Sequence, residues 1–182
     1  MKWLIWLVLA AGCAGTLPAA PSGEDLAAPN AQQLLALADA LAASGDHVRA
    51  GQYLSAAQAS GVPPREIIGR LLKLDVAAGQ YRLAIEHAET FLQSHPDEIE
   101  IRQCLASFYL AIGAHAEAAR EYARVLADRP NLAEAHFALA TVLRDSGASR
   151  ARASEHYRAY LALAPRGRHA EEARAGLFEE LP

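Results

Sequence analysis

The chain has 182 residues, a formal net charge of −4 and two lysines, Lys2 and Lys73. With no basic stripe and no run of like charges, it lacks the electrostatic footprint of a nucleic-acid binder. Two cysteines, Cys13 and Cys104, are too few for a disulfide framework.

The chain begins with Lys2 and an apolar run over residues 3–11, followed by Gly12 and Cys13. About nine apolar residues fall well short of the roughly 20 needed to span a bilayer, so the segment reads as an export signal. The ending Ala10-Ala11-Gly12-Cys13 resembles the bacterial lipoprotein signal, in which small residues precede the cysteine that becomes the lipidated first residue. Residues 1–12 are then a signal peptide. Residues 13–30 are a lipidated Cys13 and a flexible tether, rich in Ala, Pro, Gly and Ser and without helical periodicity. With Cys13 acylated, Cys104 has no partner and no disulfide is expected.

From residue 31 a fixed interval takes over. Gly45, Gly79, Gly113 and Gly147 stand 34 residues apart, as do Leu37, Leu71, Leu105 and Leu139. Alanine follows the first three glycines by five residues, at Ala50, Ala84 and Ala118; in the fourth unit one inserted residue moves it to Ala153. Proline closes units at Pro63–Pro64, Pro96, Pro130 and Pro165. Glycine suits the left-handed end of a first helix, alanine a close helix crossing, and proline the end of a second helix. A 34-residue period predicts a solenoid of helix pairs. The pattern resembles the tetratricopeptide repeat (TPR) family. Leu105, Ala106, Gly113, Ala118, Tyr122 and Pro130 carry it best, and Leu72, Asp75, Arg102 and His136 depart from it.

The expected fold is all-α: a TPR-type α-solenoid with units at 31–64, 65–98, 99–132 and 133–167, then a capping helix over 168–182. In that last segment Ala170, Ala173, Leu177 and Leu181 share one face. The resemblance implies a concave groove lined by the first helix of each unit. Carried onto this chain, its lining includes Leu35 and Asp39, then Lys73 and Val76, then Gln103, Ser107 and Leu110, and lastly Phe137, Thr141 and Arg144. The Lys/Asn/Arg set by which chaperone-binding TPR domains clamp a terminal carboxylate is absent, because position two is Gln32, Glu66, Glu100 or Glu134. The first unit is nearly uncharged, although a terminal solenoid unit normally needs a polar outer face.

No catalytic or metal motif has usable spacing. There is no His-Glu-x-x-His, phosphate loop, Cys-x-x-Cys or Gly-x-Ser-x-Gly, and no two of the seven histidines stand at i, i+4. The expectation is a non-enzymatic adaptor without a cofactor. It is lipid-anchored on the periplasmic face of the outer membrane and binds envelope proteins, in the manner of TPR lipoproteins that assist pilus or secretion assembly, including pilotins. The alternative is a periplasmic small-ligand or metal-binding protein that uses the histidines.

Overall fold

The computed structural model describes residues 29–178. The signal segment, Cys13 and nearly all of the tether lie outside the described residues, as do Leu181 and the last part of the capping segment. Nine α-helices and no strand occur among the described residues. They are α1 (Ala31–Ala43), α2 (His47–Ala59), α3 (Pro64–Ala77), α4 (Tyr81–Ser94), α5 (Ile99–Ala111), α6 (His115–Asp128), α7 (Ala133–Asp145), α8 (Arg150–Leu163) and α9 (Ala170–Phe178). Consecutive helices pack as antiparallel pairs, each pair stacks on the next, and α9 lies against α8. None of these helices is long and apolar enough to cross a membrane.

Each 34-residue landmark has its physical role. The backbone at Gly45, Gly79, Gly113 and Gly147 takes φ of 82°, 70°, 77° and 65°, a region where a Cβ is disfavoured. In the first three turns the amide after the glycine reaches back to a carbonyl of the last helical turn: Asp46 to Leu41, Gln80 to Asp75 and Ala114 to Tyr109. This is the Schellman arrangement. The inserted residue of the fourth unit lies in the turn after Gly147. There Ser149 is free to cap α8, its hydroxyl accepting from the Arg152 amide at 3.3 Å. Asn30 and Gln33 form a reciprocal capping box at the start of α1, with bonds of 3.0 and 2.8 Å. Pro64 opens α3 at its first position and does not close the preceding unit, since proline lacks only an amide hydrogen that this position leaves unused.

Ala50, Ala84, Ala118 and Ala153 are all buried at helix crossings. The leucine series is graded. Leu105 and Leu139 are buried, Leu71 is partly buried, and Leu37 is 40% exposed. Leu37 thus departs from the rest of its series. This position packs toward the helix pair before it, and no described helix precedes α1.

The departures from the repeat pattern have structural substitutes. Asp75, in an apolar slot, is 4% exposed and accepts from His87 Nδ1 at 2.7 Å. Arg102 and His136 stand where the family has Trp. Each donates to the carbonyl of the proline six residues earlier, Arg102 Nη2 to Pro96 at 2.6 Å and His136 Nε2 to Pro130 at 2.9 Å. Arg102 also pairs with the buried Glu121 at 3.0 Å, which takes a second bond from Arg124 at 2.8 Å. One unit later the equivalent pair is His136 and His156, with Nδ1 atoms 2.9 Å apart.

Candidate interaction surface

The first helices of the pairs, α1, α3, α5 and α7, carry the positions expected to line a groove. Between α1 and α3 lies a cleft of about 580 Å³, lined by Asp39 and Ala42 from α1 and Glu66, Gly69, Arg70 and Lys73 from α3. Gly69 lies in the middle of α3, and a Cβ there would meet nothing within 4 Å, so the glycine widens the cleft without serving any packing need. Arg70 bridges the two walls. Its Nε donates to Asp39 Oδ1 at 3.2 Å and its Nη1 to the Glu66 carbonyl at 3.0 Å. Arg70 pairs with both Asp39 and Glu66, a trio that keeps one net negative charge, while Lys73 is exposed and forms no ion pair with any described residue. The cleft therefore offers one cation without an ion-pair partner among the described residues, beside a trio with one surplus carboxylate.

Farther along the same face, Gln103, Leu110 and Thr141 are half-buried and Ser107 is exposed. The Ser107 hydroxyl bonds the Gln103 carbonyl at 3.0 Å and the Tyr122 hydroxyl at 2.9 Å. Thr141 Oγ1 bonds back to the Phe137 carbonyl at 3.1 Å. Val76 packs partly into the core formed by α3, α4 and α5. Arg144 holds Asp145 at 2.9 Å and lies 6.0 Å from the Tyr157 ring centroid. The Asp145 hydrogen bond raises the guanidinium's already high pKa.

Two of the expected groove residues belong to the core. Leu35 is 2% exposed and packs with Leu54, Ile67 and Leu74, because the turn of α1 that carries it faces both α2 and α3. Phe137 is 9% exposed. The segment leading into α9 covers it: the His169 ring stacks on Phe137 at 4.0 Å and 9°, and Tyr157 and Tyr160 close the sides at 5.9 and 5.4 Å. Arg168 and His169 also reach Glu134, at 3.1 and 3.5 Å, which fixes this cover over the last unit. The sequence reading missed it because His169 precedes the helix whose apolar stripe announced a cap.

The seven histidines are dispersed. His87 is tied to Asp75, His136 to His156, and His169 to Phe137. His95 stacks on Phe91 at 4.3 Å, and His47 and His115 each bury an Nδ1 without a protein partner. No group of three or more His, Cys, Asp or Glu able to hold a metal occurs among the described residues. Burial pushes the Cys104 thiol upward, away from the thiolate form. Burial and the bond to Glu89 push the Tyr109 hydroxyl up to about 12.

A comparison with curated proteins gives no match. Residues 75–143 match the family model described as tetratricopeptide repeat. Among solved structures the fold is similar to YrrB, described as a TPR protein with an unusual peptide-binding site, with a TM-score of 0.66 and 17% identity over 80% of this chain and 74% of that one. It is similar to a tetratricopeptide repeat protein from Parabacteroides merdae, with a TM-score of 0.72 and 21% identity over 81% of this chain and 58% of that one. It is also similar to MamA, with a TM-score of 0.68 and 22% identity over 79% of this chain and 83% of that one. At these identities the likeness is one of fold. The 34-residue register, the helix pairs it folds into and the family match over residues 75–143 together show a tetratricopeptide repeat fold.

Proposed function

We propose that the chain is a non-enzymatic adaptor that holds a segment of a protein partner on its concave face and is fixed to a bacterial envelope through lipid on Cys13. The tetratricopeptide repeat fold supports protein–protein interaction in general, since stacked helix pairs present extended surfaces and no reacting groups. The observation that carries the finer reading is the cleft between α1 and α3. It is open, lined by Asp39, Gly69, Arg70 and Lys73, and supplies one cation with no ion pair to a described residue. An extended peptide that brings a carboxylate to Lys73 fits it. The peptide-binding site attributed to YrrB supports placing a peptide on this fold. The lipid anchor rests on Ala10-Ala11-Gly12-Cys13, and outer-membrane placement and pilotin-like assistance of a pilus or secretion complex extend that reading.

Two measurements test it. Mass spectrometry of the purified protein should find a diacylated or triacylated Cys13 at the N-terminus, and Cys13→Ser should accumulate as an uncleaved precursor. Affinity isolation should recover the same partner with wild type and with the outer-face variant Arg82→Glu, and lose it with Lys73→Glu. An unmodified Cys13 removes the anchor; recovery unchanged by Lys73→Glu removes the cleft.

A further inference from the structure

The largest cavity among those described lies on the other side of the array, in a furrow of about 750 Å³ between α2 and α4 with α3 as its floor. Its floor is one stripe of α3, from Ile67 through Leu71 and Leu74 to Asp75. Gly51 lines this furrow. The residue after the repeat alanine is Gly51 in the first unit, Ile85 in the second and Ala119 in the third. Ile85 is buried in one cluster with Leu105, the next leucine of the series, whereas Leu71, the leucine that follows Gly51 in the series, stays only partly buried. An aliphatic group is missing from the first inter-unit contact.

At the end of this apolar floor lies a buried carboxylate. Asp75 is 4% exposed and lines the furrow, and its Oδ2 accepts from His87 at 2.7 Å. Its Oδ1 takes no hydrogen bond from a described residue and is not among the fully enclosed unpartnered atoms, so it is open to the furrow. No lysine, arginine or glutamate is among the described residues lining the furrow, so Asp75 is its one carboxylate, accompanied by His47, His87 and His95. A mostly buried carboxylate with one oxygen open to the furrow is stabilised by a cation that donates to that oxygen. A long basic side chain meets both demands, since its alkyl stem covers apolar surface while its head seeks an anion.

We propose that the furrow is a socket for a lysine or arginine side chain presented by a protein partner, with the stem over Leu71 and Ile67 and the head at Asp75 Oδ1. The site is separate from the concave cleft and does not depend on it. The chain then engages partners on two faces, and the outer face selects for basic residues although the chain itself carries net negative charge.

The test is an amide and side-chain NMR titration of the full mature chain. The probe is a blocked nonapeptide of alanine and leucine with one central arginine, and the control has citrulline in its place. Saturable shifts at Leu71, Asp75 and His87 are expected with the arginine peptide, and citrulline should weaken binding at least tenfold. Asp75→Asn should abolish the preference for arginine. Gly51→Ile should block binding in a folded protein, because the new Cβ meets Leu74 Cδ2 at an ordinary 3.7 Å. The proposal is overturned by equal binding of the citrulline peptide, by retained binding in Gly51→Ile, by shifts centred on Asp39 and Glu66, or by no saturable shift.

Discussion

Replacing Phe137 separates a core role from a groove role. The ring is 9% exposed and has three aromatic neighbours, with the His169 ring in parallel contact at 4.0 Å. Truncation to alanine removes a buried benzyl group, a change that typically costs about 3–5 kcal/mol. The lost ring contacts lie within that figure, each aromatic pair being worth about 0.5–1.5 kcal/mol. For a domain of this size one kcal/mol moves Tm by about 2–4 °C, so Phe137→Ala should lower it by about 6–20 °C. Phe137→Glu should be worse, since it places a carboxylate with no partner in the same pocket. Circular-dichroism melts give the magnitude, and amide exchange gives the location: α9 should lose protection first, because Phe137 is the surface on which His169 rests. A Phe137→Ala melt within about 2 °C of wild type, with α9 still protected, would refute the assignment to the core.

Two glycines of opposite character give opposite signs. Gly69→Ala should stabilise by about 0.5–1 kcal/mol, because an added Cβ meets nothing and an unfavourable helix residue is removed. Gly113→Ala, at φ of 77°, should destabilise by about 1 kcal/mol; urea melts that reverse either sign would contradict the register. Gly176→Ala would put a Cβ 2.6 Å from Tyr157 Cε2 and should dislodge α9, at a cost of about 1–3 kcal/mol, read as faster proteolysis of the C-terminal segment. Burial above all, then His136 and Arg152, hold His156 below its ordinary value of 6.5. The unfolded chain therefore binds that proton first, and stability should fall as pH drops from about 6.5 toward the lower native value. His156→Gln should flatten the dependence of Tm on pH in that window, and an unchanged slope would count against it.

The architecture was legible because the period encodes backbone requirements. Gly113 must accept a left-handed turn and Ala118 must let two backbones meet, and few other residues satisfy either demand. The surface was less legible because groove positions follow helix geometry alone. Asp39, Lys73 and Ser107 are exposed on the first helices, but Leu35 and Phe137 are withdrawn by neighbours that no local pattern announces. For Phe137 the neighbour is His169, more than 30 residues away in the chain. Asp75 did carry a signal, as an acid in an apolar slot. Its meaning required His87, in the second turn of another helix. The furrow over Leu71 is lined by Gly51, whose small size shows only against Ile85 in the next unit.

The central claim is that the concave face holds a protein partner. Its most direct test is photocrosslinking in intact cells from single benzoylphenylalanine residues. The concave positions are Ala77 in the cleft and Ser107, both exposed, and the control is Arg82 on α4, away from the cleft. The account predicts one discrete crosslinked species from positions 77 and 107, absent from 82, and lost when Lys73→Glu is combined with the probe. Crosslinks from 82 alone, equal capture from all three positions, or none from 77 and 107 would contradict it.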